Sequence, residues 1–136
     1  MQKKAPDVHL DEPWLSVRWD GEHHCIYAEW AGAPNSVEFR SGTVAILKAV
    51  RDRHTSSMVS DNRRLEMVAN QDQIWINESW VRLAVGSGLK RIGVVLAPEG
   101  QAKVASEGII SRFEDKMFET RTFESPDEAL AWVAGA

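Results

Sequence analysis

The sequence predicts an α/β domain on a single mixed β-sheet, with element order ββαβαβαβα, mostly parallel strands after an N-terminal antiparallel hairpin, and helices packed on the sheet. Three observations carry this. Two runs that alternate apolar and polar residues, "WLSVRW" and "CIYAEW", flank Asp20-Gly21, a dipeptide that tolerates the dihedrals of tight hairpin turns. Beyond them, apolar stripes of helical period alternate with short β-rich runs, the pattern of strand–helix–strand crossovers. The run "RIGVVLA" is almost wholly apolar, as a strand is when both of its faces are covered.

Residues 1–13 carry Pro6 and Pro13 without an apolar period, and read as a flexible N-terminal arm ahead of a domain spanning 14–136. In the hairpin, Leu15, Val17 and Trp19 share one face of the first strand, and Ile26, Ala28 and Trp30 share one face of the second. A helix follows, because Phe39, Thr43, Ile46, Leu47 and Val50 form a stripe and Asn35 with Glu38 supplies a capping box. "SSMVSD" is a short buried strand that ends at Asp61. Ile76, Trp80, Leu83 and Ala84 predict a second helix, with Asp72 as its N-cap and Gly86 or Gly88 at its end.

After "RIGVVLA", Pro98 and Gly100 punctuate the chain, and "QAKVASEGIISRFE" is a helix weakened by Gly108. "KMFETRTF" alternates like an edge strand. The final helix is well marked: Ser125 as N-cap, Pro126 at its first position, Glu128 three residues after the cap and Gly135 past its end. Right-handed crossovers are expected to set helices on both faces of the sheet.

Composition narrows the function classes. At 136 residues the chain has the length of one domain, roughly 100–200 residues. Hydrophobic residues at 43% and charged residues at 26% are ordinary for a globular core. Sixteen basic residues against twenty acidic ones leave a net charge of −4. The basic residues are scattered, which argues against nucleic acid. No apolar run is long enough for a membrane span and no apolar segment follows the N-terminal lysines, so a cytoplasmic location is expected. Cys25 is the only cysteine, which excludes an intramolecular disulfide.

An ordered set of local patterns carries a resemblance. It comprises Trp30-Ala31-Gly32 at the end of the hairpin, Glu38-Phe39 opening the first helix, Asp61-x-Arg63 after the third strand, and Trp75 and Trp80 on the next helix. It continues with "GLKRIGVVLAP" and closes on Phe123, Ser125, Glu128, Ala129 and Trp132. Over roughly residues 14–135 this resembles the stage II sporulation protein AA-like branch of the STAS fold, the sulfate-transporter and anti-sigma-factor-antagonist domain. The resemblance implies a small regulatory α/β domain whose better-known relatives bind a partner kinase and are phosphorylated on a serine in an Asp-Ser-Ser-Gly segment. Here "NQDQIWINES" supplies Asp72 followed by Gln73 and Ile74. The phosphoacceptor serine is missing, and Ser79 lies about two turns too late to replace it.

In an open α/β sheet, ligands bind outside the carboxyl ends of the strands. Asp61, Asn62, Arg63, Arg64, Asp72 and Trp75 are therefore the candidate residues for a protein partner or a small ligand. Arg63 or Arg64 would hold an anionic group and Trp75 would cover an apolar one. The competing reading is structural, with Asp61 closing a turn and pairing with Arg63 while the arginines stay solvated. His23, His24 and Cys25 are metal-ligand types, but on a strand at most two converge, so no metal and no cofactor is expected. Cys25 with a histidine is the one nucleophile pairing available, and no oxyanion loop accompanies it. A non-enzymatic regulatory or binding module is the leading expectation. The alternative is a carrier of a lipid, nucleotide or other anion, or a small enzyme, using the same cleft; six tryptophans also leave room for a homodimer.

Overall fold

Six strands form one sheet in chain order: β1 (Val8–Glu12), β2 (Leu15–Asp20), β3 (Cys25–Gly32), β4 (Ser57–Leu65), β5 (Arg91–Val95) and β6 (Glu119–Phe123). The structure is a computed structural model and describes residues 7–113 and 118–135. β1, β2 and β3 pair antiparallel, and β3 to β6 pair parallel. The helices are α1 (Ser36–Asp52), α2 (Asn70–Trp75), α3 (Val81–Gly86), α4 (Gln101–Ser111) and α5 (Pro126–Ala134), and a π-helical turn, Ile76–Trp80, joins α2 to α3. This is the expected α/β architecture with one strand more at its N-terminal edge.

Within residues 1–13, that strand corrects the expectation of a loose arm at Val8–Glu12, while residues 1–6 of that expectation lie outside the described residues. Val8–Glu12 pairs with β2 through a bulge at His9. It is held by backbone pairing and by a side-chain bond from Arg53 Nε to His9 Nε2 at 2.9 Å, and Leu10 is its one contribution to the main core, so apolar periodicity gave no warning of it.

Strand order decides where the helices lie. The parallel strands advance across the sheet in one direction, so crossovers of one hand must put α1, the α2–π–α3 run and α4 on the same face. There they cover a core containing Leu15, Val17, Ile26, Ala28, Met58, Ile92 and Val94 from the sheet, with Ile46, Leu47, Trp80, Ala84 and Ala105 from the helices. Helices do occupy both faces, but α5 alone covers the second one. Its Ala129 and Val133 pack on Cys25, Tyr27, Val59 and Val95, mainly over β4, β5 and β6.

Local chemistry explains most boundaries. At α1 the amide of Glu38 donates to Asn35 Oδ1 at 2.8 Å while the amide of Asn35 donates to Glu38 Oε1 at 3.0 Å, a complete capping box. Ser125 Oγ accepts from the amide of Glu128 at 3.4 Å, with Pro126 at the first position of α5. In the β2–β3 turn the left-handed residue is His24, with φ of 52°, not Gly21; Asp20 Oδ1 accepts from the amide of His23 at 2.9 Å.

β4 runs four residues past the predicted end at Asp61, because β3 reaches Gly32 and offers backbone partners that far. Asp72 is not the N-cap of α2. That position is Ala69, which contributes no side-chain cap, and Asp72 turns inward instead.

Candidate functional site

The period of a strand separates neighbours that sequence reading had grouped. Along β4, Met58, Ser60 and Asn62 face the helical layer, while Val59 and Asp61 face the opposite side. A bulge then sets three steps of β4, from Asp61 to Arg64, against two steps of β3, from Glu29 to Ala31. The bulge returns Arg64 to the side of Asp61 and sends Leu65 back to the helical face. The six candidate residues therefore fall into three places.

The first is the open half of the second sheet face. Asp61 is 1% exposed, and all of its hydrogen-bonding capacity is used. Oδ1 accepts from Arg63 Nε at 3.0 Å and from the Arg63 amide at 3.2 Å, and Oδ2 accepts from Arg63 Nη2 at 2.8 Å and from the Tyr27 hydroxyl. Burial alone would raise the Asp61 carboxyl, but the bonds from Arg63 and Tyr27 outweigh it and hold the group below its ordinary value. Burial, with the hydrogen bond to Asp61 behind it, raises the Tyr27 phenol. Four satisfied acceptor sites leave Asp61 nothing to offer a ligand. Arg64 reaches Glu29, Nη1 to Oε2, at 3.8 Å and is largely exposed.

The second place is the seam between α1 and α2. Asp72, also 1% exposed, accepts from Arg40 Nε at 3.0 Å and from Ser36 Oγ at 3.0 Å. The Arg40 guanidinium lies 5.4 Å from the centre of the Trp75 ring, a cation–π contact that roofs the pair. Trp75 is thus a partly buried packing residue of this seam, not the cover of a strand-end cleft.

The third place holds Asn62 and is a cavity of about 90 Å³ between the sheet and the helical layer. Trp30, Met58, Ile92 and Val94 form its floor, and Phe39, Ile46, Ile76 and Trp80 form its wall. Ile109 and Ile110, near the end of α4, and Phe113 just after it complete the lining and keep partial exposure. Among the described residues the lining includes neither Asp61 nor Trp75 and carries no Lys, Arg, His, Asp or Glu.

Its polar groups are Thr43, Ser60, Asn62 and Ser106. The Thr43 hydroxyl donates to its own helix at Arg40 O, 2.8 Å. The other three form a relay, Ser60 Oγ to Asn62 Oδ1 at 2.8 Å and Asn62 Nδ2 to Ser106 Oγ at 3.1 Å. The π turn shapes the wall: Ile76 and Trp80 are its first and last residues. Trp80 Nε1 donates to Thr43 O at 3.0 Å, and Asn77 Nδ2 donates to Ile109 O at 3.2 Å. Single π turns recur beside binding sites because they re-aim side chains that a regular helix would stagger.

Of the candidates, then, the structure pairs Asp61 with Arg63, sets Arg64 beside Glu29, joins Asp72 to Trp75 through Arg40, and leaves Asn62 alone at a cavity. Ser60 and Ser106 were not anticipated. For Ser60 the signal was present, since Met58, Ser60 and Asn62 stand two apart on what must be the helix-covered face; for Ser106 no local signal exists. Cys25 is fully buried, and burial, with the Asp20 charge behind it, pushes its thiol up to about 12, so it has no accessible thiolate. No three His, Cys, Asp or Glu side chains among the described residues converge as a metal site, and no helix among them is long and apolar enough to cross a membrane. Compared with models of protein families, with curated proteins and with solved structures, the chain has no match.

Proposed function

We propose that this chain is a non-enzymatic binding module of the STAS-like kind, and that its ligand is a small, largely apolar molecule held between the sheet and the helical layer beside Asn62. The cavity of about 90 Å³ carries this reading. Close packing is the rule in protein interiors, and an empty space costs roughly 24 cal/mol per Å³. A fitting ligand that displaces water from this space gains the packing contacts with its apolar lining that the unfilled fold lacks. An apolar hollow with a few convergent polar groups is also the usual form of a small-molecule site. It is smaller than the ~300–1,000 Å³ of drug-sized sites, so its occupant is compact.

The same geometry weakens the anion-carrier reading, since Arg63 is engaged by Asp61 and Arg64 lies beside Glu29. Native mass spectrometry of the protein purified from its own host tests the proposal, with Val94→Phe as the comparison because Val94 lines the cavity and a phenyl ring would fill it. Wild type is expected to carry added mass that the variant lacks. The bare chain in both preparations would overturn the reading.

A further inference from the structure

We infer that the cavity's ligand is electrically neutral and presents a hydrogen-bond acceptor, a carbonyl or hydroxyl oxygen, to Asn62 and to a neighbouring serine; the inference rests on the cavity being the binding site. It follows from what the polar relay leaves unused. An Asn side chain has two N–H donors and a serine has one O–H donor. One Asn62 proton goes to Ser106 Oγ and the Ser60 proton goes to Asn62 Oδ1. The second Asn62 proton and the Ser106 hydroxyl proton have no acceptor among the described residues, although Asn62 is 8% and Ser106 is 5% exposed. Rotating the amide by 180° exchanges the roles of the two serines, but one amide proton and one hydroxyl proton are still left over. The count of spare donors does not depend on how the amide is set.

Two spare donors on the lining of an otherwise apolar cavity call for one acceptor atom, because buried donors left unmade are costly. An oxygen with two lone pairs can take both. Water can do so when the cavity is unliganded, since the volume is well above what one molecule needs. A charged acceptor is excluded by the lining itself. Among the described residues no cationic side chain borders the cavity, and Arg63 and Arg64, which follow Asn62 in the chain, lie on the other side of the sheet with Asp61 and Glu29. A carboxylate or phosphate would lose its hydration with no opposite charge to replace it.

The test uses the full chain labelled at isoleucine methyls, with Ile76, Ile92, Ile109 and Ile110 as reporters because all four line the cavity. Three probes are titrated and followed by NMR: cyclopentanone, methylenecyclopentane, which has the same shape without the acceptor, and cyclopentanecarboxylate. The ketone and the alkene are expected to shift the reporters and the carboxylate to leave them unmoved. Asn62→Leu should weaken the ketone relative to the alkene by about five- to tenfold. Ser106→Ala, a milder change in a helix, should move the ratio the same way. A carboxylate that binds as well as the ketone, or a ketone-to-alkene ratio unchanged in both variants, would overturn the inference and leave the cavity reading standing. Reporters unmoved by every probe would overturn both.

Discussion

The Tyr27 hydroxyl on β3 donates to Oδ2 of Asp61 on β4, and Arg63 grips the same carboxylate at both oxygens from two residues further along its own strand. The three groups together hold the bulge of β4 against β3, so this cluster is part of the sheet's construction. Its ionisation makes stability depend on pH. The Asp61 carboxyl is held below its ordinary value in the folded protein, against about 3.9 unfolded. Its contribution is therefore complete above the unfolded value and is lost as the pH falls through the lowered folded one. Urea unfolding followed from pH 7 downward should find Asp61→Asn less stable by about 1–3 kcal/mol at neutral pH, with the difference shrinking below about pH 4. Tyr27→Phe should cost about 1 kcal/mol. A gap between wild type and Asp61→Asn that stays constant through the acid range would remove the carboxylate from this role.

Gly42 sits in the middle of α1, where alanine normally gains about 1 kcal/mol over glycine. Here a Cβ would stand 2.7 Å from Leu15 Cδ2, 2.9 Å from Trp30 Cη2 and 3.0 Å from Trp14 Cζ3. Leu15 is fully buried and makes the closest of these contacts, so the clash wins. Gly42→Ala is expected to lower stability by about 1–3 kcal/mol in chemical denaturation; a stabilised variant would mean that helix and sheet sit further apart than described.

Asp72 and Arg40 should be energetically coupled. Asp72 is buried and Arg40 is partly exposed, so removing the cation strands a charge while removing the anion frees a solvated one. Asp72→Ala and Arg40→Ala are each expected to cost about 1–3 kcal/mol. The double variant should be less damaging than the sum of the two by about 0.5–2 kcal/mol. Additive losses in a double-mutant cycle would show that the α1–α2 seam is held by packing on Trp75 alone.

How much of this was legible depended on sequence distance. The hairpin, the capping box of α1 and the cap of α5 were legible because each is written within a few residues, where hydrogen-bonding reach equals chain spacing. The pairing of Asp61 with Arg63 was legible for the same reason. β1 was not, because its partner strand supplies backbone hydrogen bonds and no side-chain pattern announces them. The length of β4 was missed because β3 determines it, and Asp72 was misassigned because its partner Arg40 stands 32 residues away. The candidate site was half legible: Asn62 was named, but grouped with neighbours that alternation and the bulge turn to the opposite face.

The sequence by itself determined the α/β class, the order of the predicted elements and the caps of α1 and α5, since these follow from local propensity and from apolar periods of 2 and 3.6. Tertiary structure alone decided which residues distant in sequence meet. Strand order put three crossovers on one face and left α5 to cover the other. The π turn and α4 then close around a space that no single element contains, bringing Ser106 to Asn62 across 44 residues. A cavity is the volume that packed elements fail to fill, and that remainder exists only once all of them are in place.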